Sequence, residues 1–331
     1  MKTPALPPVV VTCGDPAGIG LEVIAGAWEV LKDELPFFVV CDPGHVPEGA
    51  PIALINRPHH AIHAMADGIP VLPHAFKLPA KPGAPGPGNA VGVVEVIERA
   101  VKLVRKGEAA ALCTAPIAKS ELKIHAGFNF PGHTEFLAHL SGADMSVMML
   151  ASDELKVVPA TIHIPLSEVP KALTKEALEQ TICLTEACLR YDFGIKKPRI
   201  AVAGLNPHAG EGGMMGTEEA TLIAPVCAKL SAEGMSITDP LSADTMFHVA
   251  ARARYDVAIA MYHDQALIPI KTLAFDKGVN VTLGLPFPRT SPDHGTAFDI
   301  AGKGIANPSS MIEALRMARD MSRARPDADS L

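Results

Sequence analysis

At 331 residues the chain has room for roughly two domains of about 150 residues each. With 48% hydrophobic and 20% charged residues it is neither a disordered nor an acidic-tail protein, and its 27 glycines and 30 prolines fall well short of a collagenous chain. A net charge of −7, from 29 basic and 36 acidic residues, together with 5% aromatics, argues against a dedicated nucleic-acid binder or a stacking platform and favours a small polar or phosphorylated ligand.

The opening MKTPALPPVVV has no charged region followed by an apolar signal stretch, and no 18-residue apolar span occurs, so a soluble cytoplasmic protein without membrane contact is expected. Cys13, Cys41, Cys113, Cys183, Cys188 and Cys227 show no metal-finger or disulfide spacing and read as reduced core thiols.

Along the chain, residues 9–13 form an apolar, β-branched run that stops at Gly14; Gly18 and Gly20 then precede Leu21, Glu22, Val23 and Ile24. This pattern predicts strand, glycine turn, helix. Residues 37–41 predict a second buried strand closed by Asp42, Pro43 and Gly44. The stretch PAKPGAPGPG at 79–88 can hold neither helix nor ladder and is expected to be a loop or a domain connection. Asn89 can cap a helix whose apolar positions are Val94, Ile97, Val101 and Val104, ending at Gly107. Residues 110–114, 146–150, 156–163, 199–205 and 256–262 predict further strands separated by helical patterns. Such alternation means an α/β protein with a largely parallel sheet. Residues 323–331 are polar, contain Pro326 and are expected to fray.

Three histidines stand at the C-terminal ends of these runs: His163, His208 and His263. Open α/β sheets place ligands at that edge, and three imidazoles match the ligand count of a catalytic metal site. Any one of them alone reads rather as a hydrogen-bonded structural residue, and it is the trio that brings the metal reading level with it. The turn from Gly14 to Gly20 fails both nucleotide templates: GxGxxG would need glycine at Val23, and Leu21-Glu22 stand where a phosphate-binding loop needs Lys-Ser/Thr. It remains open between a tight turn requiring positive φ and a ligand contact.

A second glycine loop, NPHAGEGG at 206–213, could turn backbone donors toward an anion or simply connect a strand to the helix opened by Thr217, Glu218 and Glu219. Thr134 in GHTE could cap a helix. Lys271, Asn280 and Arg289 are individually ordinary surface residues, yet together supply two cations and an amide suited to a carboxylate or phosphate.

The segments GDPAGIG, GHTEF, NPHAGEGG, YHDQALIPIK and NVTLGLPFPRTSPDHGTAFDIAGKG occur in one order over nearly the whole chain, which resembles the 4-hydroxythreonine-4-phosphate dehydrogenase family of vitamin B6 biosynthesis. The resemblance implies NAD- or NADP-linked, divalent-metal-dependent (Zn, Mg or Co) oxidation of 4-phosphooxy-L-threonine to 2-amino-3-oxo-4-phosphooxybutanoate, which loses carbon dioxide to give 3-amino-2-oxopropyl phosphate. It places the metal on His163, His208 and His263 and substrate contacts on His133, Thr134, Lys271, Asn280 and Arg289. No residue is singled out as the general base.

The run from His294 to Gly304 is also similar to the adenosine-binding loop of isopropylmalate and isocitrate dehydrogenases. That likeness implies their two-domain α/β/α architecture, distinct from the standard Rossmann fold, and a homodimer with active sites shared between subunits. It assigns Gly295, Thr296 and Asp299 to the cofactor. At Asp299 a carboxylate would accept ribose hydroxyls and repel a 2′-phosphate, favouring NAD; the plainer alternative is a turn cap. The expected first domain is 1–125 with 285–331, and the second, carrying the metal histidines, is 126–284. Leu21 and Ala118 depart from the family's usual residues without touching the proposed ligands.

Related substrates remain as alternatives: phosphothreonate, phosphoerythronate or a cis-dihydrodiol. A three-histidine metal hydrolase, needing no nicotinamide, is the rival from another enzyme class, and a non-catalytic binding protein is a third reading.

Overall fold

The computed structural model describes residues 6–325. The part of the expected frayed tail beyond residue 325 lies outside the described residues. In chain order the regular elements begin with β1 (Val9–Thr12), α1 (Gly20–Leu31), β2 (Phe37–Cys41), β3 (Ile52–Leu54), α2 (Ala61–Ala64), β4 (Ile69–Pro73), α3 (Ala90–Arg105), β5 (Leu112–Thr114), α4 (Lys119–His125) and α5 (His133–Ser141). They continue with β6 (Val147–Ala151), β7 (Lys156–Pro159), α6 (Val169–Ala172), α7 (Lys175–Asp192), β8 (Arg199–Ala203), α8 (Ala224–Ala232), β9 (Ser236–Leu241), α9 (Val249–Arg252), β10 (Val257–Ala260), α10 (His263–Ala274) and β11 (Val279–Leu283). The last are β12 (Arg289–Pro292) and α11 (Ser309–Ala324).

These elements form two compact units, Met1–Ser146 with Leu285–Arg323, and Val147–Gly284 with Ala324–Leu331. The sequence put the first crossover at 125/126. Helix α5 goes instead with the first unit, because it packs against α3.

In the first unit the strand order is β3-β4-β2-β1-β5-β12, and every pairing is parallel. Strands β1 and β2 are buried at every position, which is why their sequences are unbroken apolar runs rather than alternating ones. Helix α3 buries Val93, Val96, Ile97, Ala100, Val101 and Val104, a stripe that fits its helical period. Two local expectations need correcting. Val94 sits at the edge of that stripe, half-buried, and the Asn89 side chain makes no cap: its Oδ1 accepts instead from the N–H of Leu78 at 3.1 Å.

In the second unit the order is β11-β6-β7-β10-β8-β9. Strand β6 pairs antiparallel with both β11 and β7, whereas β7, β10, β8 and β9 run parallel. Leu150, Val157, Ala201, Ala258, Ala266 and Ile270 belong to its core. Full burial of a leucine or isoleucine contributes roughly 1.5–3 kcal/mol. The small alanines of β8 and β10 leave room for α10 to lie close to the sheet.

Among the described residues the six cysteines carry no disulfide, and no helix is long and apolar enough to cross a membrane.

Candidate functional site

The second unit carries the three histidines. Strands β7, β10 and β8 are adjacent and parallel, so their C-terminal ends lie at one edge. His163 follows β7, His263 follows β10 as the first residue of α10, and His208 follows β8. The sequence extended the β7 strand to residue 163. It ends at Pro159, and His163 lies in the loop beyond, with φ +53°.

The rings of His163 and His263 lie side by side, with centroids 5.8 Å apart and planes inclined at 43°. They border a cavity of about 260 Å³ that Ile162, Val169 and Tyr262 also line. Nδ1 of His263 is 2.7 Å from Oδ1 of Asp264, so Nε2 is the ring nitrogen that Asp264 does not engage.

His208 is exposed on a loop in which His208, Ala209 and Glu211 have φ of 52°, 50° and 41°, interleaved with Gly210 and Gly212. Left-handed backbone at three residues that carry a Cβ is costly and needs outside support. Buried Glu219 supplies part of it, accepting the Asn206 N–H at 2.7 Å and its Nδ2 at 3.0 Å. Glu219 opens a π-helical turn, Glu219–Ile223, rather than the ordinary helix start expected at Thr217.

Among the described residues, no three His, Cys, Asp or Glu side chains are gathered as metal ligands; the side-by-side pair is His163 and His263. Imidazole is nevertheless a donor that suits a divalent ion in chemistry, and each of these three follows one of three neighbouring parallel strands.

In the first unit a cationic cluster surrounds the start of α5. Arg289, at the beginning of β12, is 2% exposed and donates from Nη2 to Thr114 Oγ1 at 2.6 Å. Burial pulls its guanidinium down to about 10, with Cys113 and Glu135 opposing. His133 is held well below the ordinary imidazole value, first by burial and then by the charges of Arg289 and Lys119. Its Nε2 is shut off from solvent without a hydrogen-bond partner.

Thr134 lies inside α5, whose cap position is Gly132; the threonine cap expected from sequence is not formed. A Cβ added at Gly132 would sit 3.2 Å from Lys119 Nζ and 3.3 Å from Glu135 Oε2. Lys119 was not singled out in the sequence, where the only signal was a basic residue opening α4.

Lys271, in the last turn of α10, lies 5.6 Å from the ring centroid of Phe275. Asn280, on β11, has a buried Oδ1 without a hydrogen-bond partner. Both belong to the second unit, whereas His133, Thr134 and Arg289 belong to the first.

The glycine turn after β1 packs against the 294–304 loop. The N–H of Ile19 donates to the Thr296 carbonyl at 3.0 Å, and Glu22 accepts the N–H groups of Gly302 and Gly304 at 2.5 and 3.2 Å. Gly14 takes φ +70°, with the Pro116 carbonyl oxygen occupying the space a Cβ would need, so the turn requires glycine for its own geometry. Gly295 and Asp299 are exposed on the loop. A cavity of about 180 Å³ beside the turn has Asp15, Lys81, Asn89 and Glu121 among its mainly apolar lining. Burial pushes the Asp15 carboxyl up and Glu121 adds to the push, against the Ala17 N–H.

With this geometry in view, residues 22–318 match the model of a family described as "pyridoxal phosphate biosynthetic protein PdxA". A 4-hydroxythreonine-4-phosphate dehydrogenase from Ruegeria sp. (strain TM1040) is 59% identical over 317 residues, covering 96% of this chain and 97% of that protein. The crystal structure of a 4-hydroxythreonine-4-phosphate dehydrogenase from Klebsiella pneumoniae superposes with a TM-score of 0.85 at 38% identity, over 96% of this chain and 99% of the other. The isocitrate dehydrogenase of Methylococcus capsulatus, at 16% identity and a TM-score of 0.50 over 95% of this chain and 87% of its own, is alike in fold alone.

Proposed function

We propose residue roles for one reaction from the premise that the chain belongs to the PdxA family of pyridoxal phosphate biosynthetic proteins. The activity is that of 4-hydroxythreonine-4-phosphate dehydrogenase, an oxidoreductase. In this reading the C3 hydroxyl of 4-phosphooxy-L-threonine loses its proton and the C3 hydrogen leaves as hydride to NAD or NADP. The product, 2-amino-3-oxo-4-phosphooxybutanoate, carries a carboxylate β to the new ketone. That carboxylate leaves as carbon dioxide, and protonation of the resulting enolate gives 3-amino-2-oxopropyl phosphate.

His163, His208 and His263 are the residues that would hold a divalent metal. When bound, such an ion acts as a Lewis acid toward the oxygen that becomes alkoxide and then ketone. The single observation that carries this assignment is the succession of three adjacent parallel strands, each followed by one of these histidines, with two of the rings side by side.

Arg289 offers a planar fork to an anionic group of the substrate, and Thr114 fixes the direction of that fork. Lys119 adds a second cation. His133, held well below the ordinary imidazole value first by burial and then by these two charges, carries a buried Nε2 that a substrate oxygen can satisfy. Thr134 supplies a hydroxyl beside it, while Lys271 and the buried Oδ1 of Asn280 serve the remaining polar groups. These contacts position the substrate rather than break bonds.

Gly295, Thr296 and Asp299 are assigned to the adenosine half of the cofactor. A homodimer with shared sites is part of the same reading. Ile268 and Phe275, 65% and 71% exposed on α10 and just past its C-terminal end, support it, since large exposed apolar side chains on one helix call for a covering surface.

The test is cofactor reduction by the purified protein with 4-phosphooxy-L-threonine, before and after chelation and with Zn, Mg or Co restored. Mass spectrometry identifies the product. Reduction with phosphothreonate, phosphoerythronate or a dihydrodiol but not with the phosphorylated threonine would overturn the substrate assignment.

A further inference from the structure

Three hydrogen bonds tie together the loops that carry the three histidines. Thr161 Oγ1 donates to the carbonyl of Met261 at 2.8 Å. The Met261 N–H donates to Gln265 Oε1 at 2.6 Å, and Gln265 Nε2 donates to the carbonyl of Gly204 at 2.8 Å. Thr161 and Met261 each stand two residues before a histidine, His163 and His263, and Gly204 stands four before His208. Met261 is therefore the node: its carbonyl is held from the β7 side and its N–H, through one side chain, from the β8 side.

The chemistry of the link is specific. A carboxamide accepts at one end and donates at the other, so glutamine bridges an N–H and a carbonyl in a single span. A carboxylate would keep the first bond and set an oxygen against the Gly204 carbonyl. A hydrocarbon of similar length would leave both backbone groups unmet. Thr161 is 8% exposed and Met261 is fully buried, so water is poorly placed to replace their bond.

The loops need such support. Each lies beyond its strand, where ladder bonds have ended; the last rung between β7 and β10 is Ala160 N–H to the Ala260 carbonyl at 2.7 Å. His163 and His208 both sit at positive φ, 53° and 52°, a backbone state that holds only where surrounding contacts impose it.

We propose that Thr161 and Gln265 are positioning residues that lock the three histidine loops in register and thereby set the protein's affinity for its divalent metal. The proposal rests on the assignment of His163, His208 and His263 as ligands and adds two residues that touch neither metal nor substrate. Groups behind a metal's ligands typically change affinity about 10–100-fold when removed.

The experiment uses the full chain and cobalt(II) alone, titrated into metal-free protein and followed by its visible absorption. The variants are Gln265→Met, Gln265→Glu, Thr161→Val and Thr161→Ser, with His163→Ala and His263→Ala as ligand controls. Expected are an about tenfold or greater rise in the cobalt Kd for Gln265→Met and Thr161→Val with an altered spectrum, an intermediate rise for Gln265→Glu, and near wild-type behaviour for Thr161→Ser, which keeps the hydroxyl. A merely structural role would lower the melting temperature of the metal-free protein while leaving Kd and spectrum alone, and that result overturns the proposal. So does wild-type affinity in Gln265→Met and Thr161→Val when the histidine variants have lost binding. Wild-type binding by the histidine variants themselves would instead overturn the ligand assignment, and the proposal with it.

Discussion

Lys119 and Gly132 stand so close that a β-carbon at 132 would meet the lysine Nζ at 3.2 Å, although Gly132 itself has extended backbone (φ −172°) that any residue can adopt. A side chain there would push the tips of Lys119 and Glu135 aside by a few tenths of an ångström, so the glycine leaves that space to a cation. Lys119→Met is expected to raise KM for the phosphorylated substrate about tenfold, the worth of one charge-assisted hydrogen bond, while leaving cofactor KM unchanged. Gly132→Ala, which displaces the amine without removing it, should give a smaller effect in the same direction. Steady-state kinetics of both variants decide the matter; unchanged substrate KM in Lys119→Met would remove the lysine from the site.

Arg289→Lys keeps the charge and loses the fork. Its Nη2 bond to Thr114 shows that the guanidinium plane is already set before substrate arrives. A rise in substrate KM of roughly 10–100-fold is expected, with little change for the nicotinamide. Equal kinetics for the two proteins would place Arg289 outside the site.

Replacing Glu22 should act on the cofactor alone. Its carboxylate holds two amides of the 294–304 loop from 280 and 282 residues away. Glu22→Ala is expected to raise the cofactor KM by about threefold to tenfold, from the loss of one or two hydrogen bonds that shape the loop, with kcat at saturating cofactor retained. Isothermal titration of the cofactor gives the same comparison without turnover.

Asp299 is predicted to set cofactor choice. Asp299→Ala should narrow the preference for NAD over NADP by weakening the first and relieving repulsion of the second. Kinetics with both cofactors measure it, and an unaltered ratio in an active variant would return Asp299 to the role of a turn residue.

His133 gives the protein a predictable acid sensitivity. Its folded value lies well below 6.5, so as pH falls through 6.5 the unfolded imidazole takes up a proton that the folded ring refuses. Stability conferred by the neutral ring is present above 6.5 and lost progressively below it. Denaturant midpoints should therefore fall more steeply below that pH in the wild type than in His133→Asn; parallel curves would show that the ring takes up its proton as readily folded as unfolded.

The strands were readable because burial on both faces writes an unbroken apolar run, as in β1, β2 and β10, and the histidines at the strand ends followed from the parallel order those runs imply. What escaped was of two kinds. The ends of elements depend on single backbone angles, so His163 was read into a strand that stops at Pro159, and the cap expected at Thr134 falls at Gly132. Long-range neighbours leave no local trace: nothing near Lys119 announces Gly132, nothing near Glu22 announces Gly302, and a glutamine inside YHDQ gives no hint that it reaches Gly204.

The first unit is discontinuous in the chain, and this fixes the order in which the protein can be finished during synthesis. Until Arg289–Pro292 emerges, β5 has no neighbour on one side, and the groove that α11 fills with Met311, Leu315 and Ala318 stands open. The intervening residues 147–284 can meanwhile complete nearly all of their own contacts. Among the described residues they still lack Arg325, which emerges after α11 and supplies a partner for the buried carboxylate of Asp192. A nascent chain halted after residue 284 would thus present a nearly finished second unit beside an open-edged first one, and that exposed parallel edge is where a chaperone or a misplaced strand would bind.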